Sequence, residues 1–210
     1  MTEFIINADT YLRLSKIALQ PDEQHTKDGN VTPFDTSLRS VRIEQDGGVA
    51  LAVATCGKLL AVECLSDCGD DGVLNVTIDP KLIAIAQAEL EQSGSLIIKQ
   101  APGWTIARGS ATGTMYPLNA EIIGEWPNWR DLIPARQPAK NNGAFVFDGQ
   151  WIGRMGASAP SGIFVLPRCS NVDAAVVVRD TIDPNWMGVF LISDRENKQE
   201  PAEVPAWWQI

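Results

Sequence analysis

The chain has 210 residues, 45% of them hydrophobic and 20% charged, with a formal net charge of −9. This is ordinary globular composition for one or two domains, and its acidity excludes a protein that coats DNA through its whole surface. No stretch approaches the roughly 20 apolar residues that span a bilayer, and the opening "MTEFIINADTYL" has no basic region followed by an apolar block, so a cytoplasmic protein without a signal peptide is expected.

The first element is "FIINADTYLRLSKIAL" (4–19), a short β-type run that reaches Asn7 and then turns helical. The same pattern recurs in "VTIDPKLIAIAQAEL" (76–90) around Asp79 and in "AFVFDGQWIGRMGASA" (144–159) around Asp148. Each of the three polar residues can accept a hydrogen bond from a free N–H of the first helical turn. Pro80 falls at the first helical position, where a missing N–H costs nothing.

Strands are predicted between these helices. "SLRSVRIEQ" (37–45) alternates, "DGG" (46–48) is a hairpin signal, and "VALAVAT" (49–55) and "LLAVECL" (59–65) follow, separated by a turn at Gly57. A second group runs through "SLIIKQA" (95–101), "GWTIARGS" (103–110) and "TGTMYPLNAEII" (112–123). A third comprises "GIFVLP" (162–167), "AAVVVRD" (174–180) and "MGVFLIS" (187–193). The chain therefore repeats one unit about three times: strand, helix, about three strands. The alternative is an unrelated α+β protein whose periodicity is coincidental. "QPDEQHTKDGNVTP" (20–33) reads as a polar loop, and 194–210 as a charged tail ending in "WWQI".

Catalytic signals are absent from this pattern. There is no G-x-S-x-G, Walker A, H-E-x-x-H or Rossmann glycine motif, and His25 is the one histidine, which removes most His-based acid–base schemes. Cys56, Cys64 and Cys68 are spaced C-x7-C-x3-C and Cys169 lies far off, which fits no common zinc pattern. Free cysteines, no metal and no cofactor are expected. Asp70 and Asp71 in "DCGDDG" read as a solvated turn rather than a cation loop.

Two passages carry a resemblance. "SVRIEQDGGVALAVATCGKLLAVECL" (40–65) resembles the central hairpin of the bacterial DNA sliding clamp, the β subunit of DNA polymerase III, whose middle domain has a strand ending A-T-D-G-x-R-L-A; here the text is "ATCGKLLAV". "GEWPNWRDLIP" (124–134) is similar to the signature G-x-F-P-D-Y-x-x-x-[IL]-P that ends that domain. The helix of 76–90 falls between them, as in the family. The sequence departs at Cys56, Leu59 and Asn128, where the pattern has Asp, Arg and Asp. Residues 144–155 and 185–193 resemble a helix and the closing strand of the family's last domain.

The resemblance implies an α+β DNA-clamp fold, repeated strand–helix–strands units with antiparallel sheets outside and helices on one face. It implies a clamp domain over 1–136, a partial clamp-like domain over 137–193 and a flexible tail over 194–210. It also implies no enzymatic activity, but a role in DNA replication: a processivity factor that encircles or contacts duplex DNA weakly and non-specifically, tethers a polymerase or other replication protein, and forms a homo-oligomer. The shortness of the chain fits a phage or mobile element. The DNA-facing positions would be Arg13, Lys16, Lys81 and Arg154, unless these are solvated surface charges. The partner-peptide groove would be Leu38, Thr55, Gly57, Leu60, Pro127, Leu132, Val189 and Phe190, unless these seal a domain junction. Trp207 and Trp208 read as a tail hook for another protein or for this chain's own groove, the alternative being packing on the parent domain. The rival reading is a clamp-fold interaction protein that encircles nothing and binds replication proteins through that tail; an enzymatic or small-molecule-binding α+β domain is a third.

Overall fold

The computed structural model describes residues 1–18, 26–27, 30–31, 35–46, 48–65, 69–118, 126–133, 149–165 and 175–191. In chain order its elements are β1 (Thr2–Asn7), α1 (Ala8–Ser15), β2 (Thr26–Lys27), β3 (Asn30–Val31), α2 (Asp35–Leu38), β4 (Ser40–Asp46), β5 (Val49–Thr55), β6 (Leu59–Leu65) and β7 (Gly72–Thr77). There follow α3 (Pro80–Leu90), β8 (Ser95–Ala101), β9 (Trp104–Gly109), β10 (Met115–Leu118), a 3-10 turn (Trp129–Leu132), α4 (Gly149–Ser158), β11 (Phe164–Val165), β12 (Val176–Asp180) and β13 (Trp186–Phe190). His25, Cys68, Asp148, Cys169, Trp207, Trp208 and most of the 20–33 loop lie outside the described residues.

The helix starts follow the local chemistry. The Asn7 side chain accepts from the Asp9 N–H at 2.8 Å and the Asp79 side chain from the Lys81 N–H at 2.7 Å, with Pro80 opening α3. Two elements differ from expectation. Residues 37–38 close the short helix α2 instead of opening a strand, and β10 begins at Met115 because 110–112 wrap around a buried carboxylate.

Three units are thus visible: β1-α1-β4-β5-β6, then β7-α3-β8-β9-β10, then α4-β11-β12-β13, the opening run of the third lying outside the described residues. Their strands form two main antiparallel sheets, β1-β8-β9-β10 and β11-β12-β13-β6-β5-β4-β7, with a small ribbon β2-β3. The longer sheet crosses the expected boundary at 136, since β13 pairs with β6 from Trp186↔Glu63 to Phe190↔Leu59. The sheets also touch where Phe4 bridges Gly69 and the Glu3 N–H donates to Asp70 at 2.7 Å. Gly69 sits at φ +96°, and a Cβ there would overlap the Glu3 carbonyl oxygen, so this approach requires glycine.

The unbroken apolar runs of β5 and β6 are explained by burial on both sheet faces. One face carries Ala50, Ala52, Ala54, Leu59, Ala61 and Phe190 into the main core beneath the helices. The other carries Val53, Leu60, Val62, Val177 and Val189 under Trp129. In the helix layer α1 lies between α3 and α4. No described helix is long and apolar enough to cross a membrane.

Two buried carboxylates hold turns together. Glu89 accepts from the Ala111 and Thr112 N–H groups, both at 2.7 Å. Burial alone would raise its pKa, but hydrogen bonds from Thr112, Ala111 and Ser110 outweigh it and hold it at about 2. Asp180 likewise has a burial contribution that would raise it, overcome by the Asp183, Ile182 and Ser161 N–H groups and the Ser161 hydroxyl, and it too sits at about 2. Both folded-state values lie below the ordinary carboxylate values of 4.5 and 3.8. Their stabilisation is therefore complete above those values and lost as pH falls towards 2. The urea midpoint is expected to drop through that window, and Glu89→Gln is expected to have a lower midpoint at pH 7 with a shallower fall in acid.

Candidate partner-docking face and helix layer

The outer face of the longer sheet is built by register. Thr55 lies opposite Leu60, and Leu60 opposite Val189, so these three residues stand side by side across β5, β6 and β13. The Thr55 hydroxyl donates to the Leu59 carbonyl at 2.7 Å and accepts from the Gly57 N–H at 3.1 Å, which pins the turn beside them. Gly57 takes φ +80°, which only glycine adopts without strain. The Leu191 N–H closes the same corner on the Lys58 carbonyl at 2.8 Å.

Residues 126–133 lie over this face. Trp126 donates its indole N–H to the Ser40 hydroxyl at 3.1 Å, and Trp129 donates to Glu44 Oε1 at 3.2 Å. Glu44 also receives Arg42 at 2.6 Å and Arg130 at 2.7 Å. Burial would raise the Glu44 carboxyl, but these donors lower it below the usual range. Arg130 stacks on Trp129 at 4.2 Å and Arg42 on Trp126 at 5.6 Å. The two tryptophans of "GEWPNWRDLIP" are therefore the underside of a strap clipped to the polar rim of β4. Ser40, Arg42 and Glu44 were not singled out from the sequence. Their signal was the alternation in "SVRIEQ", whose polar positions face this strap rather than solvent.

The eight expected groove positions divide. Thr55, Leu60 and Val189 are adjacent and buried, Gly57 is at their edge, and Pro127 enters the strap half-buried. Leu38 and Phe190 belong to the main core on the opposite side. For Phe190 the reason is the two-residue period of a strand: the neighbour of Val189 must point the other way. Leu132 lies in the 3-10 turn, and its side chain is outside the described residues. Leu60 and Val189 have no exposed surface and lie in one cluster with Trp129.

The four expected basic positions also divide. Lys16 and Lys81 are exposed, the latter 5.9 Å from the Tyr116 ring. The Arg13 side chain is 13% exposed and binds Asp9 at 2.7 Å, Glu63 at 2.9 Å and the Ser158 carbonyl at 2.9 Å. Burial opposes its charge, but the two carboxylates raise its pKa further above the arginine value. Arg154 donates to the Lys16, Ile17 and Ala18 carbonyls at 2.7–2.9 Å, satisfying the open C-terminal end of α1. Arg13 and Arg154 thus join helices to each other and to the sheet. Even so, the three helices with the Lys16 cap carry four basic and two acidic residues, in a chain with 17 basic and 26 acidic. The helix layer thus carries a basic excess within an acidic chain.

Repeated units with helices in one layer and antiparallel sheets outside define the α+β DNA-clamp fold. The chain is similar over 90% of its length to the DNA polymerase sliding clamp of Pseudomonas aeruginosa crystallised with a ligand, at 14% identity and a TM-score of 0.65. It is similar over 90% to the DNA polymerase III subunit beta of Bartonella birtlesii bound to griselimycin, at 15% and 0.64, and over 91% to the beta subunit of Thermotoga maritima, at 10% and 0.61. In each comparison the chain spans 65% of the other protein's length. No family model and no curated protein matches the sequence.

Proposed function

We propose that the chain is a non-catalytic, sliding-clamp-like replication factor. Its helix layer contacts duplex DNA weakly through Lys16 and Lys81, with Arg13 and Arg154 setting the background potential. Its outer face at Thr55, Leu60 and Val189 receives a short apolar peptide from a polymerase or another replication protein when the tryptophan strap lifts. The observation that carries this reading is the likeness of the fold, over 90% of the chain, to proteins described as DNA polymerase sliding clamps. Weak phosphate contact suits a protein that must slide, because each neutralised phosphate steepens the salt dependence and tight contacts would immobilise it. The test is retention on nicked circular plasmid in physiological salt. A clamp is held on the circle and lost when the plasmid is linearised, whereas loss from both forms rejects encirclement.

The second reading, a clamp-fold interaction protein that encircles nothing, is favoured by the internal engagement of Arg13 and Arg154, which leaves a thin basic lining. Under it, Trp207 and Trp208 are the hook. Pull-down of replication proteins that is abolished by deleting 194–210 supports this reading, and unchanged capture rejects it.

A further inference from the structure

Two of the three side chains that donate to Glu44 belong to the strap. Glu44 Oε1 accepts from Arg42 at 2.6 Å and from the Trp129 indole N–H at 3.2 Å, and its Oε2 accepts from Arg130 at 2.7 Å. Arg42 shares β4 with Glu44, whereas Trp129 and Arg130 are consecutive residues of the 3-10 turn. Trp129 also lies in one cluster with Leu60 and Val189. Drawing its ring away from them therefore pulls on both strap donors at once, and of the three donors Glu44 then keeps Arg42.

The two arginines are unequally placed for that change. The Glu44 side chain is 12% exposed and that of Arg42 22%, but that of Arg130 is 56% exposed. Glu44 retains a counter-charge in Arg42, so opening leaves Arg130, not Glu44, without a partner. The acid next to it, Asp131, is engaged by Asn128 Nδ2 at 2.7 Å, and among the described residues Glu44 is the acid that Arg130 pairs with. The Arg130 guanidinium sits 4.2 Å from the centre of the Trp129 ring, beside the ring that a docking peptide has to displace. Its planar fork suits a carboxylate.

We propose that Arg130 sets the specificity of this face: it selects an apolar peptide that carries a carboxylate, because such a peptide gives Arg130 back the partner that opening removes. A neutral apolar peptide loses the Glu44–Arg130 pair without replacement, so the same pair discriminates against it. The inference rests on the reading of this face as a peptide-docking groove and names the chemistry of the peptide.

Fluorescence anisotropy on the full chain tests it with two sets of labelled peptides: an apolar Leu- and Phe-containing hexapeptide with Asp at each position in turn, and the same set with Asn. The best Asp peptide should bind the wild type about fivefold more tightly than its Asn twin, the upper end for a partly exposed ion pair. Arg130→Gln should bring that ratio to about one and Arg130→Lys should keep part of it, with circular-dichroism melts showing both variants folded. Glu44→Gln, which removes the competing carboxylate, should tighten binding of the Asn peptide. Equal binding of Asp and Asn peptides at every position, or a preference that Arg130→Gln leaves unchanged, overturns the proposal while the groove stands, because the peptides still bind. Absence of binding both to the wild type and to Trp129→Ala removes the groove, and this inference with it.

Discussion

Alanine at Arg13 is expected to lower the stability of the fold by about 3 kcal/mol, the lower end of the range for removing one partner of a buried ion pair. The guanidinium sits between α1, β6 and α4, and its partner Glu63 has a side chain only 9% exposed. Glu63 faces the helix side of β6, where its neighbours Leu59 and Ala61 enter the main core. With Arg13 gone, Glu63 keeps the Thr10 hydroxyl at 2.8 Å but loses its counter-charge in a desolvated place. The Ser158 carbonyl loses a donor as well, so the seat of α4 weakens. Urea midpoints at pH 7 measure the effect, and adding Glu63→Gln should recover part of the loss because it removes the stranded charge. The contrast with Lys16→Ala and Lys81→Ala separates structure from DNA contact. Those exposed lysines should leave stability within about 0.5 kcal/mol of wild type and weaken DNA retention. A stable Arg13→Ala with reduced DNA retention would mean that this arginine faces DNA after all.

What was legible in the sequence was local. Asn7 and Asp79 announce their helices because an N-cap is settled within three residues, and the strand–helix–strands unit repeats visibly because its punctuation repeats. The turn at Gly57 was readable for the same reason. What stayed hidden depends on partners distant in sequence. Arg13 and Lys16 look equivalent on a helical wheel; that one is half-buried and the other exposed is decided by Glu63, fifty positions away, and by α4. Phe190 and Val189 look equally suited to a groove until the pairing of β13 with β6 assigns alternate residues to opposite faces. "VALAVAT" and "LLAVECL" do not alternate, so they gave no cue to orientation; both faces are covered, one by helices and one by the strap. Glu89 reads as a surface residue of α3 and becomes a buried acceptor because Gly94 and Gly109 leave room for its carboxylate, where a Cβ at either would overlap it.

Trp129→Ala is expected to cost about 3–5 kcal/mol, the usual range for deleting a buried tryptophan, and to open the outer face. The ring is 5% exposed and packs over Val53, Leu60, Val62, Val177 and Val189, five side chains from four strands, while its indole N–H holds Glu44. Glu44 retains Arg42 and Arg130 after the substitution, so the loss is mainly apolar packing rather than a stranded carboxylate. Trp129→Phe keeps most of that packing and removes one hydrogen bond to a charged group, worth about 1.5 kcal/mol, so its urea midpoint should fall between those of Trp129→Ala and wild type. The functional consequence separates a groove from a seal. In the closed arrangement Leu60 and Val189 have no exposed surface, so a docking peptide must first displace the tryptophan and bear the cost of lifting it. If the face is a groove, removing the ring removes that cost, and under conditions where the variant is folded a short apolar peptide should bind at least about tenfold more tightly by fluorescence anisotropy, since each 1.4 kcal/mol released is a factor of about ten. If the face is only a seal between the domain and the third unit, the variant loses stability and gains no affinity, and peptide capture must be sought elsewhere on the chain.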